Sequence, residues 1–153
     1  MTTLTSTDRI EKTIRLKAPR SRVWKALTDA GQFGTWFRVK LDNGFAVGER
    51  TTGKITYPGY EHLTFEVTVE QMEPERLFAF RWHPYAVDPT VDYSQEPTTL
   101  VLFRLDEEAE GTRLTVTESG FDGIPPGRRH EAFRMNEGGW ATQMENIRTH
   151  VAG

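Results

Sequence analysis

From Pro126 to about Val151 the chain keeps a helical period without interruption, and this stretch constrains the fold more than any other. Phe133, Trp140, Met144, Ile147 and Val151 fall within about 40° of one line at 100° per residue. A helix of that length runs roughly 37 Å at 1.5 Å per residue, enough to cross a whole sheet. The segments before it have the other period. Phe37, Val39 and Leu41 alternate before Asn43-Gly44, a favourable turn pair. Thr51 to Tyr57 is a weaker strand, closed by Pro58-Gly59. Leu63, Phe65, Val67 and Val69 alternate with polar residues, as do Phe78, Phe80 and Trp82, then Thr99, Val101, Phe103 and Leu105, then Leu114 and Val116.

At the N-terminal side, Ile10, Ile14 and Leu16 share one face of a strand that only Lys12 interrupts. Pro19 to Thr28 reads as a short helix, with Pro19 suited to its start and Ser21 able to cap its first turn. A second turn or short helix ends at Trp36-Phe37. The order is strand, one or two short helices, six strands and a long helix. Consecutive strands with short turns make an antiparallel meander. Its apolar face, with Phe65, Phe80, Trp82, Phe103 and Val116, needs a cover, and the last helix is the one long amphipathic candidate. The expected fold is α+β: a curved antiparallel six- or seven-stranded sheet wrapped around the long C-terminal helix, with one or two short helices after strand 1. Between Tyr85 and Pro97 the alternation dissolves, and we expect an ordered loop or lid at the sheet edge.

Composition narrows the function classes. A chain of 153 residues has a one-domain length, so we expect residues 9–153 to form a single domain after a flexible tail, Met1 to Asp8. The tail lacks the apolar core of a signal peptide. There is no cysteine, which removes disulfides, thiolate nucleophiles and Cys-ligated metal centres, and fits a cytoplasmic location. The net charge of −3 with no basic stripe argues against a nucleic-acid partner. No run of about 18 apolar residues is present to span a membrane. His62, His83, His130 and His150 show no metal-ligand spacing, and neither a nucleotide loop nor a Gly-x-Ser-x-Gly elbow occurs. No cofactor and no metal are expected.

Several stretches resemble a known family. Val23-Trp24-Lys25-Ala26-Leu27-Thr28-Asp29, Trp36-Phe37, Glu73-Pro74-Glu75-Arg76-Leu77, Gly111-Thr112-Arg113-Leu114 through Glu118-Ser119-Gly120-Phe121, and Gly139-Trp140 come in order and with matching spacing. The chain resembles the SRPBCC superfamily, the START and Bet v 1-like group. Within it, the chain is similar to the AHSA-like branch, named after the activator of heat-shock-protein-90 ATPase. The resemblance implies the helix-grip fold. It implies no one activity, because the group includes ligand carriers, cyclases, hydroxylase components and co-chaperone domains. The loop Tyr85 to Pro97 is longer than a minimal turn, so no rim contact is carried over to it.

Candidate site residues follow from phase. Glu118 continues the inward phase of Leu114 and Val116. It either faces an apolar cavity, where its pKa would rise, or sits at a strand end and reaches solvent or an Arg. Glu137 lies roughly 40° off the helix's apolar line, and either points into a cavity mouth or snorkels outward. Gly138 and Gly139 each cost the helix about 1 kcal/mol relative to Ala, which suggests close approach of the sheet or of a ligand. Trp36, Tyr57, Phe65, Phe80, Trp82 and Phe103 are candidate ligand contacts, as are Phe133, Trp140 and Met144 on the helix; the alternative is that these side chains are the core. His83 is a candidate general base or anion contact, or a surface His at a strand end.

The leading functional expectation is a small-molecule binding module whose internal cavity takes an apolar, aromatic or lipid-like ligand. One rival is a cofactor-free cyclase, dehydratase or hydrolase that uses Glu118 or His83. The other is a co-chaperone-like domain that docks on a protein partner.

Overall fold

The structure, a computed structural model, describes residues 8–88 and 90–152. The expected tail up to residue 7 therefore lies outside the described residues. Asp8 is held: its carbonyl accepts from Gly120 N–H at 3.1 Å and its carboxylate from Asp122 N–H at 2.9 Å. The elements are β1 (Arg9–Leu16), α1 (Arg20–Thr28), α2 (Ala30–Phe37), β2 (Val39–Leu41), β3 (Arg50–Ile55), β4 (Thr64–Glu73), β5 (Leu77–Trp82), β6 (Thr99–Glu108), β7 (Gly111–Ser119), a 3₁₀ turn (Phe121–Gly123) and α3 (Pro126–Ala152).

The seven strands form one antiparallel sheet in the order β1-β7-β6-β5-β4-β3-β2. Strands β2 to β7 follow the meander that short turns dictate. The first strand then pairs with the last, placing Ile10 opposite Glu118. A register shift between Val69 and Gln71, facing β5, marks a bulge, and bulges bend and twist a sheet locally. The α+β helix-grip arrangement expected from the periodicities is present, with seven strands. The boundaries differ in places. Phe37 closes α2 instead of opening a strand, because Arg38 takes the left-handed conformation (φ 68°) that ends a helix. Tyr57 lies beyond β3 and is exposed. Ser21 does not cap α1, which starts on Pro19 with no side-chain cap; the Pro19 carbonyl takes the first N–H groups.

The small helices lock by specific bonds. Asp29 caps α2 through Gln32 N–H at 3.0 Å. Trp36 Nε1–H donates to the Ala26 carbonyl at 2.7 Å and so ties α2 to α1. At Gly34 a Cβ would stand 2.3 Å from the Val39 carbonyl oxygen, so only glycine lets α2 turn directly into β2. Arg22 donates to the Val151 and His150 carbonyls at 2.9 and 3.1 Å, satisfying carbonyls that the end of α3 leaves open. Along α3, Ala132, Trp140, Met144, Ile147 and Val151 are buried. They meet Leu114, Val116, Phe103 and Phe80 from the sheet and Val23 and Leu27 from α1 in one core. Each large apolar side chain buried there contributes about 1.5–3 kcal/mol.

Candidate functional site: a lidded cleft backed by a buried carboxylate

The sheet and α3 part at the end where β5 runs into the long loop before β6. A cleft of about 440 Å³ opens there. Ile55 from β3, Phe65 from β4 and Trp82 from β5 form its floor, and Phe37 and Asn136 bring in the ends of α2 and the face of α3. The loop supplies the far wall, with His83, Tyr85, Val87 and Tyr93. A smaller branch of about 100 Å³ continues past Phe37, Trp82 and Asn136 to Gly139, Trp140 and Gln143.

The loop is tied down by Arg128, in the first turns of α3. Its guanidinium reaches Glu96 Oε1 at 2.8 and 3.1 Å and donates to the Pro84 and Tyr85 carbonyls at 2.7 and 2.9 Å. It also lies over the Tyr93 ring at 4.7 Å. Tyr85 adopts a positive φ of 48°, and Arg128 binds the carbonyl of that same residue. His83 Nε2 lies 3.1 Å from the Glu96 carbonyl, which only accepts, so that nitrogen carries the hydrogen.

Behind the cleft sits Glu118, with no exposed surface. Four side chains converge on it. Trp82 Nε1–H and Thr99 Oγ–H donate to Oε2 at 2.7 and 2.5 Å. Trp140 Nε1–H donates to Oε1 at 2.8 Å, and the Asn136 amide reaches both oxygens at 3.0 and 3.2 Å. None of the ion pairs among the described residues includes Glu118. A buried carboxylate is tolerable when its lone pairs are filled by aligned donors, and here they are. The bonds also fix the indoles of Trp82 and Trp140, stacked at 5.8 Å with 28° between planes.

The remaining sequence candidates fall in three places. Trp36, Phe80, Phe103 and Met144 are buried in the core behind the walls. Phe133 packs edge-on against Phe121 at 5.2 Å, toward the 3₁₀ turn. Tyr57 and Glu137 are at the surface, Tyr57 beside Tyr60 and Glu137 4.0 Å from Lys12 Nζ. Cβ atoms added at Gly138 or Gly139 would meet nothing within 4 Å, so the sheet does not approach the helix there; Gly139 borders open space in the cleft's branch. Sequence reasoning passed over Asn136 and Arg128. Asn136 precedes Trp140 by one turn on the same helix face, and a polar residue on an apolar stripe is the signal that marks it. Arg128 carries no such signal, since an Arg in a first turn is ordinary.

Among the described residues no cluster of three metal-ligating side chains occurs, and no helix is long and apolar enough to cross a membrane.

The family model of the Activator of Hsp90 ATPase homolog 1-like protein matches residues 17–152, and the chain belongs to that family. No curated protein sequence matches the chain significantly. Among solved structures, protein MLL2253 from Mesorhizobium loti superposes with a TM-score of 0.74 at 23% identity, over 94% of this chain and 96% of that one. DynU16, a protein from the dynemicin biosynthetic locus, gives 0.73 at 25% identity over 95% of this chain, which spans 47% of DynU16. Protein CV1439 from Chromobacterium violaceum gives 0.74 at 17% identity, over 97% of this chain and 99% of that one. These likenesses concern the fold.

Proposed function

We propose that this member of the family binds a small, largely apolar ring compound in the lidded cleft. The observation that carries the reading is the cleft itself: about 440 Å³, walled by Phe37, Phe65 and Trp82 and roofed by Tyr85 and Tyr93. Ligand sites of small molecules span roughly 300–1,000 Å³ and pair apolar walls with a few placed polar groups. Rings suit such walls because aromatic pairs add about 0.5–1.5 kcal/mol beyond buried area. Glu118 supports binding over catalysis. A general base needs a lone pair within reach of the substrate, and those of Glu118 are taken by four donors behind the wall. Phenylnaphthylamine, a neutral fluorophore that brightens in apolar surroundings, tests the proposal. Saturable uptake by the folded protein, lost when Gly139→Leu and Phe65→Asp obstruct and charge the cleft, is the expected result. No uptake by the folded wild type would remove the ligand reading and promote docking on a protein partner.

A further inference from the structure

Asn136 is the polar side chain that α3 contributes to the cleft. Its amide nitrogen faces both oxygens of Glu118. With the nitrogen 3.0 and 3.2 Å from those oxygens, the amide oxygen points away from Glu118. No donor among the described residues bonds Asn136 Oδ1. Asn136 Oδ1 is thus an oriented acceptor beside the aromatic wall that no protein donor takes up among the described residues.

The acids and bases in the cleft's own lining add a second preference. Asp92 and Glu66 line it, Glu66 pairing outward with Arg50 at 3.5 Å, and no Lys or Arg does. Hydrogen bonds from Ser94 hold the Asp92 carboxyl below the usual carboxylate range. His83, also in the lining, spends its Nε2–H on the Glu96 carbonyl. A ligand carboxylate entering here would meet the charge of Asp92 and no cationic Lys or Arg in the lining, with only the neutral hydroxyls of Thr64, Tyr85, Tyr93 and Ser94 to replace its water.

We propose that the cleft selects aromatic compounds carrying a hydrogen-bond donor, a phenolic O–H or an aryl or ring N–H, and discriminates against their carboxylate counterparts. The donor bonds Asn136 Oδ1 while the ring lies along Phe37 and Trp82. Glu118 is the positioning residue, acting through Asn136. This rests on the small-molecule reading of the same cleft.

Displacement of bound phenylnaphthylamine by naphthalene, naphthol and naphthoate at neutral pH tests it. The three share a ring and differ in the polar group. Naphthol is expected to compete about tenfold better than naphthalene, the size of one net hydrogen bond, and naphthoate to be weakest. Asn136→Leu is expected to equalise naphthol and naphthalene. Glu118→Gln, which frees the amide to turn, is expected to shrink the naphthol advantage while naphthalene still binds; a purely structural role would weaken both alike. Equal competition by naphthol and naphthalene in the wild type overturns the proposal without any variant. So does naphthoate competing as well as naphthol, or a tenfold ratio that survives in Asn136→Leu. Absence of probe binding would instead overturn the cleft as a binding site, a different and distinguishable result.

Discussion

Glu118 is an acid buried without a cation, and its surroundings explain how that is possible. Trp82 and Trp140 are large apolar side chains, yet each turns its one N–H toward the same carboxylate. Buried indoles need an acceptor for that hydrogen, and one acid serves both. Exchange of the carboxylate for a carboxamide sets an NH₂ group against donors and leaves at least one of them unpaired. Glu118→Gln is therefore expected to lower stability by about 1–3 kcal/mol in urea unfolding, with the slope unchanged. A neutral result would mean that water replaces the lost partner. The inward phase of Glu118 was legible in the alternation of β7, since Leu114 and Val116 precede it at a spacing of two. Its partners were not. They come from β5, the start of β6 and two turns of α3, and local periodicity holds no record of which strand lies beside which.

At the scale of elements, the loop between β5 and β6 depends on α3. Arg128 holds both ends of the loop, through Pro84 and Tyr85 on one side and Glu96 on the other, and covers Tyr93 between them. The Arg128 and Glu96 side chains are only 18% and 19% exposed, so screening by solvent is limited. Lysine lacks the planar fork that serves several acceptors at once. In Arg128→Lys, loop amides such as those of Val91 and Glu96 are expected to lose hydrogen-exchange protection while those of β4 and β7 keep theirs. Uniform loss across the sheet would show instead that Arg128 supports the whole fold. The lid position was legible, because prolines and acids interrupt the strand pattern after His83-Pro84. The latch was not, because an Arg at the start of a helix looks the same whether it is solvated or forked onto a loop.

In the whole molecule, the far end of α3 is fastened to both small helices. Arg22 of α1 takes the last carbonyls, and the His150 ring meets Gln32 of α2 at 3.2 Å. Burial, and then the Arg22 charge, hold the pKa of His150 below its ordinary 6.5. The folded protein thus prefers the neutral ring more than the unfolded chain does. The contribution of this site to stability is complete above the unfolded value and is lost as pH falls through the lower folded value. The melting temperature of His150→Gln is expected to fall less than that of the wild type between about pH 7 and about pH 5. A ring titration of His150 with a midpoint at or above 6.5 would contradict this.

The order of elements, the buried faces of β4 to β7 and the covering role of the last helix were determined by the sequence alone. Periods of two and 3.6 are local, and burial of an apolar face leaves few ways to arrange them. Trp140, Met144, Ile147 and Val151 make that case without reference to any other element. The tertiary structure decided the rest: that β1 closes the sheet beside β7, that Phe80 and Phe103 back the wall while Phe37 and Phe65 line it, and that Asn136 turns its oxygen outward. Each depends on curvature, twist and long-range pairing, which bring together residues distant in the chain, so the chemistry of the cleft exists only once the sheet has closed on its helix.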